Sequence, residues 1–134
     1  MIAVDSSIAV AAFAPWHERH EQARHVMSDG PRIVAHAALE TYAVLTRLPP
    51  PFRAPAEAAA SFLARRFPDP PLALDEEAQG TLVSRLLDRG IEGSAVYDAI
   101  IALTAAASGA RLASLDARAL ETYRRCEVEV DLIR

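Results

Sequence analysis

The sequence predicts an α/β fold, a three-layer α/β/α sandwich with a mostly parallel central sheet. Three observations predict it. Met1-Ile2-Ala3-Val4 is apolar at every position, as befits a strand covered on both faces in the middle of a parallel sheet. Strand-like runs then alternate with helical ones along the chain, the pattern of strands joined by helical crossovers. Two strands, the first and Arg111-Leu112-Ala113-Ser114-Leu115, each deliver an aspartate to their end, and in open α/β sheets the ligand crevice lies beyond the carboxyl ends of the strands.

At 134 residues with 51% hydrophobic side chains, the chain has the size and apolar content of one domain, expected to span residues 1–134. The single Cys126 cannot form an internal disulfide, and no spacing resembles a zinc motif. No apolar stretch reaches the roughly 18–20 residues that span a bilayer, and no basic leader precedes one. A soluble, cytoplasmic protein without a membrane partner is expected. The net charge of −4 argues against broad electrostatic adhesion to nucleic acid, although a divalent metal reverses the local sign of an acidic pocket. Every basic side chain other than histidine is arginine, which excludes chemistry that needs a lysine nucleophile or a phosphate-binding lysine.

Asp5, Ser6 or Ser7 can cap the first helix, Ser7 to Phe13, because their side-chain oxygens accept from free N–H groups of a first turn. A second helix is expected from Trp16 to Met27, stopped at Gly30-Pro31. Its His17, His20 and His25 continue no metal-site spacing and read as a polar stripe. Arg32 to Ala35 reads as a strand and His36 to Leu48 as a helix whose Leu39, Tyr42, Ala43 and Leu45 face a core. Glu40 then lies at the edge of that buried stripe. The prolines from Pro49 to Pro55 form a stiff bend, followed by a helix to Phe67 whose Arg65 and Arg66 suit the helix dipole. Leu72 to Leu74 reads as a brief strand, and Asp75 caps a helix reaching Arg89.

Ser94 is the expected cap of a helix from Ala95 to Ser108, apolar nearly all round and so buried. Asp98 breaks its pattern. It lies too deep to be the cap, and an ionised aspartate in apolar surroundings needs a partner or a metal. After the strand ending at Leu115, Asp116 either caps the helix from Ala117 to Arg125 or serves the same edge as Asp5. Glu127 to Asp131 alternates polar and apolar residues like an edge strand.

In a parallel sandwich Asp5 and Asp116 share one sheet edge, and Glu40 and Asp98 sit early in helices entered from it. Two unit charges about 4 Å apart repel by about 4 kcal/mol at an effective dielectric near 20, so four converging carboxylates call for protons or cations. With oxygen ligands and neither cysteine nor convergent histidine, Mg²⁺ suits the cluster, with Mn²⁺ the next choice and Zn²⁺ less apt.

Four segments, Ile2-Ala3-Val4-Asp5-Ser6-Ser7, Ala38-Leu39-Glu40-Thr41, Val96 to Ala102 around Asp98, and Leu112-Ala113-Ser114-Leu115-Asp116, stand in an order and spacing that resembles the PIN-domain nucleases. The likeness is greatest to the VapC-like toxins of bacterial type II toxin–antitoxin pairs. This resemblance, which covers nearly the whole chain, implies that Asp5, Glu40, Asp98 and Asp116 are catalytic and hold the metal, and that Ser6 or Ser114 supports the site. It further implies an endoribonuclease that cuts RNA with water activated at Mg²⁺, a homodimer, and inhibition by a cognate antitoxin protein. Arg47, Arg53, Arg65 or Arg66 would hold the RNA backbone. Two other readings compete. One is a catalytically inactive interaction module in which the acids are caps and surface charges. The other is an aspartate-based phosphoryl-transfer protein, against which stand the missing lysine and the Ser7 found where a second aspartate is wanted.

Overall fold

The computed structural model describes all of residues 1–134. Its sheet contains β1 (Ile2–Val4), β2 (Arg32–Ile33), β3 (Arg111–Ser114) and β4 (Val130–Leu132), in the spatial order β2-β1-β3-β4. Every pairing is parallel, with Val4 opposite Ile33 on one side and Ala113 on the other, and Ser114 opposite Leu132. β1 is interior, and Ala3 and Val4 are fully buried, as an apolar strand between two helical layers must be. From β1 the chain runs to one neighbour, β2, and much later returns to the other, β3. The crevice at the carboxyl end of β1 therefore lies at a topological switch point.

The connections are helical. They are α1 (Ser6–Phe13), α2 (His20–Met27), α3 (Ala35–Arg47), α4 (Ala56–Arg66), α5 (Glu76–Gly80), α6 (Leu82–Asp88), α7 (Ala95–Ala107) and α8 (Leu120–Arg125). A 3-10 turn, Ala117–Ala119, leads into α8. α1 packs against α2 and α3, and α7 against α3, α8 and β3. Buried alanines, among them Ala9, Ala11, Ala99, Ala102 and Ala105, let these helices approach closely. Ile8, Ile101, Leu103 and Leu112 fill the remaining space, each contributing about 1.5–3 kcal/mol by leaving water.

Several elements depart from the sequence-based expectation, each for a local reason. α2 begins at His20 rather than Trp16, because Nδ1 of His17 captures the amide of Arg19 at 3.0 Å and holds a turn. His20 spends its Nδ1 on the carbonyl of Ala11 at 2.7 Å. The strand expected at Leu72 to Leu74 shrinks to one parallel bridge between Val34 and Leu72, since Pro70 and Pro71 supply no N–H to a ladder. The helix expected from Asp75 to Arg89 is two helices, broken at Gly80-Thr81, where glycine is a poor helix former. Asp75 does cap α5, accepting from the Ala78 amide at 2.7 Å. Ser94 precedes α7 but makes no capping hydrogen bond. Glu127 has a φ of 59°, which closes the end of α8 and delays β4 to Val130.

α3 turns a different face inward from the one expected. Ala37, Thr41 and Leu45, four residues apart, are buried, whereas Leu39 is 70% exposed and Tyr42 39%; Ala43 is also exposed. The small side chains allow α3 to sit close to α1 and α7, and Thr41 satisfies its hydroxyl on the carbonyl of Ala37 at 2.7 Å. No helix is long and apolar enough to cross a membrane.

Candidate active site

The site is built on the end of β1. Asp5 follows Val4 directly, is 2% exposed, and caps α1. Its Oδ1 accepts from the amides of Ser7 at 3.0 Å and Ile8 at 3.3 Å, and from the Ser7 hydroxyl. Its Oδ2 accepts from the phenol of Tyr123, on α8, at 2.7 Å. With three donors on Oδ1 and one on Oδ2, the open lone pair of this carboxylate lies on Oδ2. Capping and a role in the crevice are thus compatible, because they use different oxygens.

A serine pair ties the start of α1 to the end of β3. The Ser7 hydroxyl accepts from the amide of Leu115 at 2.8 Å and lies 3.4 Å from the Ser114 hydroxyl. Ser114, fully buried, accepts from the amide of Asp116 at 3.0 Å. The sequence offers Ser6 and Ser114 as supports of the site. The partner of Asp5 is Ser7, however, and not Ser6, which lies on the wall of an adjoining cleft. Asp116 caps the 3-10 turn through the amide of Arg118 at 3.0 Å and pairs with its guanidinium at 3.3 Å.

Glu40 and Asp98 reach the same edge from α3 and α7. Burial raises the pKa of Glu40 above the ordinary carboxylate value; His36 opposes that shift, and Asp98 and Asp5 add to it. Asp98 is raised first by burial, then by the negative charge of Asp116 and of Asp5, with Arg118 acting the other way. Asp5 is likewise raised by burial, against the pull of the nearby Ser114, Ser7 and Tyr123 hydroxyls and the Ile8 amide. Burial and the Asp5 charge push the Tyr123 phenol up, so it remains a donor. Asp98 thus lies within reach of the charges of Asp5 and Asp116, and Glu40 within reach of those of Asp98 and Asp5.

The donor set is carboxylate oxygen throughout, as hard cations such as Mg²⁺ and Mn²⁺ prefer. One atom asks for such an occupant: Oε1 of Glu40 is buried and accepts no hydrogen bond, with His36 Nε2 3.5 Å away. The residues fit a hard divalent ion in kind. In spacing they are looser than expected, since no three acidic, histidine or cysteine side chains are set closely enough to coordinate a single ion.

Beside the acids lies an open cleft of about 420 Å³, walled by Ser7, His17, Arg19, Asp116 and Arg118 among others. Of the four arginines named from sequence, Arg47 acts on Glu40 through space. Arg53 and Arg65 bond their own local backbone, and Arg66 lines a separate depression with Glu21 and His25. Arg118 was missed, as were Ser7 and Tyr123. Tyr123, which shares Leu120–Arg125 with Leu120 as its only other large apolar residue, gave the available signal: it lies three residues on and so on the same helix face.

The PIN domain family matches residues 2–125. The chain is a PIN-domain protein of the VapC group. Ribonuclease VapC40 of Mycobacterium tuberculosis, in strains H37Rv and CDC 1551, is 47% identical over 133 residues, covering 99% of this chain and 99% of that protein. Ribonuclease VapC27 of strain H37Rv is 39% identical over 139 residues, covering 96% of this chain and 94% of the relative. In this PIN domain the acids thus occupy the carboxyl edge of the sheet, at the ends of β1 and β3 and on α3 and α7.

Proposed function

We propose that this PIN-domain protein is a metal-dependent endoribonuclease, the toxin of a toxin–antitoxin pair, and that residues 1–134 form one nuclease domain. Its catalytic carboxylates are Asp5, Glu40, Asp98 and Asp116. The observation that carries the reading is the placement of Asp5 and Asp116 just beyond the adjoining carboxyl ends of β1 and β3, joined through the Ser7–Ser114 pair at the switch point of the sheet. Its kinship to proteins named ribonucleases fixes the reaction class.

Mg²⁺, or Mn²⁺ in its place, is the ion these carboxylates suit in kind; Asp5, Glu40, Asp98 and Asp116 would hold it only after moving closer together than they stand here. When bound, such an ion acidifies water and neutralises charge on the oxygens of a scissile phosphate. The chain supplies the rest. Ser7 and the first turn of α1 fix the Asp5 carboxylate, and Tyr123 holds its second oxygen. Arg118 and Arg19, on the cleft wall beside Asp116, bring positive charge to an approaching phosphodiester. No side chain need act as a nucleophile.

The partners in this reading are RNA as substrate, a cognate antitoxin protein, and a second copy of the chain. Val83 and Leu87 on α6, 80% and 78% exposed, are apolar surface that a protein partner would cover. The working place of such a toxin is the cytoplasm. Expression of the chain alone should arrest growth and yield a discrete RNA cut, both lost in Asp98→Asn protein that still folds. Cleavage surviving that substitution would sink the reading.

A further inference from the structure

His36, near the start of α3, and Tyr97, the residue before Asp98 on α7, stack with ring centroids 5.5 Å apart and planes 4° from parallel. Offset parallel contact is one of the favoured arrangements of two rings. Each ring belongs to an acid of the cluster, since Tyr97 precedes Asp98 and His36 Nε2 lies 3.5 Å from Oε1 of Glu40. The imidazole backs one face of the phenol ring, yet Tyr97 remains 54% exposed. A partly exposed aromatic pair therefore stands between α3 and α7, with His36 against Glu40 and Tyr97 next to Asp98 in the chain.

The charge of the chain gives this pair something to do. With a net charge of −4 and no lysine, general attraction for a phosphate backbone is weak, and affinity must come from elsewhere. Stacking on an aromatic face contributes about 1–3 kcal/mol per base and does not rely on charge. Single-stranded RNA is bound in this way, with unstacked bases laid on tyrosine or histidine rings.

We propose that Tyr97, backed by His36, is a base-stacking subsite. An unpaired nucleobase of single-stranded RNA lies on the open face of the phenol ring and thereby sets a neighbouring phosphate against Asp98 and Glu40. The proposal takes its substrate class from the nuclease reading, but its test does not require cleavage. The ring carries the contact, and the hydroxyl does not.

The full-length protein is titrated, in EDTA so that metal-dependent cleavage cannot shorten the probe and by fluorescence anisotropy, into a short fluorescein-labelled oligoadenylate and into an abasic ribose-phosphate oligomer of the same length. Wild-type protein should prefer the oligoadenylate by about 5- to 150-fold, the fold-change equivalent of one stacked base. Tyr97→Ala should bind the two probes alike, and Tyr97→Trp should retain the preference. If Tyr97→Ala does not fold, Tyr97→Leu, which keeps bulk without a ring face, carries the same expectation. A wild-type protein indifferent to the bases overturns the proposal, and so does an alanine variant that still prefers them. A change of oligomeric state in Tyr97→Ala, read by size-exclusion chromatography, also overturns it by assigning the ring to a protein contact. The nuclease reading is judged separately, by cleavage of cellular RNA and by the melting response to Mg²⁺; base preference decides the stacking subsite in either case.

Discussion

The Tyr123 phenol donates a 2.7 Å hydrogen bond to Oδ2 of Asp5 across 118 residues of sequence, with both groups buried. It joins the last helix to the first strand at the one carboxylate that the fold encloses completely. Removing the donor leaves a buried acceptor short of a partner, which costs about 1–3 kcal/mol. Tyr123→Phe, which keeps the ring in place, should lower unfolding free energy by that amount in urea titrations with EDTA present. An unchanged midpoint would show that the bond contributes nothing.

Divalent metal and the Asp98 charge should act on stability in opposite senses. A cation bound at about 100 times its Kd adds about 2.7 kcal/mol, which corresponds to roughly 10 °C in Tm for a domain of this size. Asp98→Asn deletes a charge repelled by Asp116 and Asp5, so its Tm in EDTA should equal or exceed that of the wild type. Its response to Mg²⁺ or Mn²⁺ should be lost. A variant less stable than the wild type in EDTA, or still stabilised by metal, would contradict this account.

The pH dependence follows from the direction of the shifts. Burial raises Asp5, Glu40 and Asp98 above the ordinary carboxylate value, so the folded chain holds these protons more tightly than the unfolded chain does. Their contribution is therefore largest below the unfolded pKa near 4 and is lost as pH rises through the raised folded values. In EDTA, the stability of wild-type protein relative to Asp98→Asn should decline as pH climbs through this window. Thermal melts of both proteins over a pH series measure the difference, and a relative gain with rising pH would refute the assignment.

The parts of the site legible in sequence were those in which one residue type stands in surroundings that do not suit it. Asp5 and Asp116 follow short apolar strands that pair in parallel, and Asp98 interrupts an apolar helix packed against the second of them. Tyr123 and Ser7 were not legible, because their roles depend on which rotamers meet across β1, β3 and α8, and spacing along the chain carries no trace of that. The parallel sheet could be read from apolar runs ending in polar residues. The break at Gly80 and the reduced bridge at Leu72 could not, since glycine and proline alter the backbone without changing the pattern of apolar side chains.

α3 shows the same limit and offers the last test. A reading weighted by side-chain size favours Leu39 and Tyr42 as core residues, but the helix packs by its smallest stripe, Ala37 and Thr41, and only Leu45 belongs to both faces. Close approach of α3 to α1 and α7 excludes bulk along that stripe, and it is this approach that carries Glu40 to the acid cluster. Leu45→Ala should therefore cost about 2–5 kcal/mol, as a buried leucine does when a cavity replaces it. Leu39→Ala, 70% exposed, should change stability by no more than about 0.5 kcal/mol. Urea unfolding of both variants at low protein concentration measures the difference. Equal losses would mean that α3 is rotated from the orientation described, with Leu39 turned to the core in place of Ala37 and Thr41.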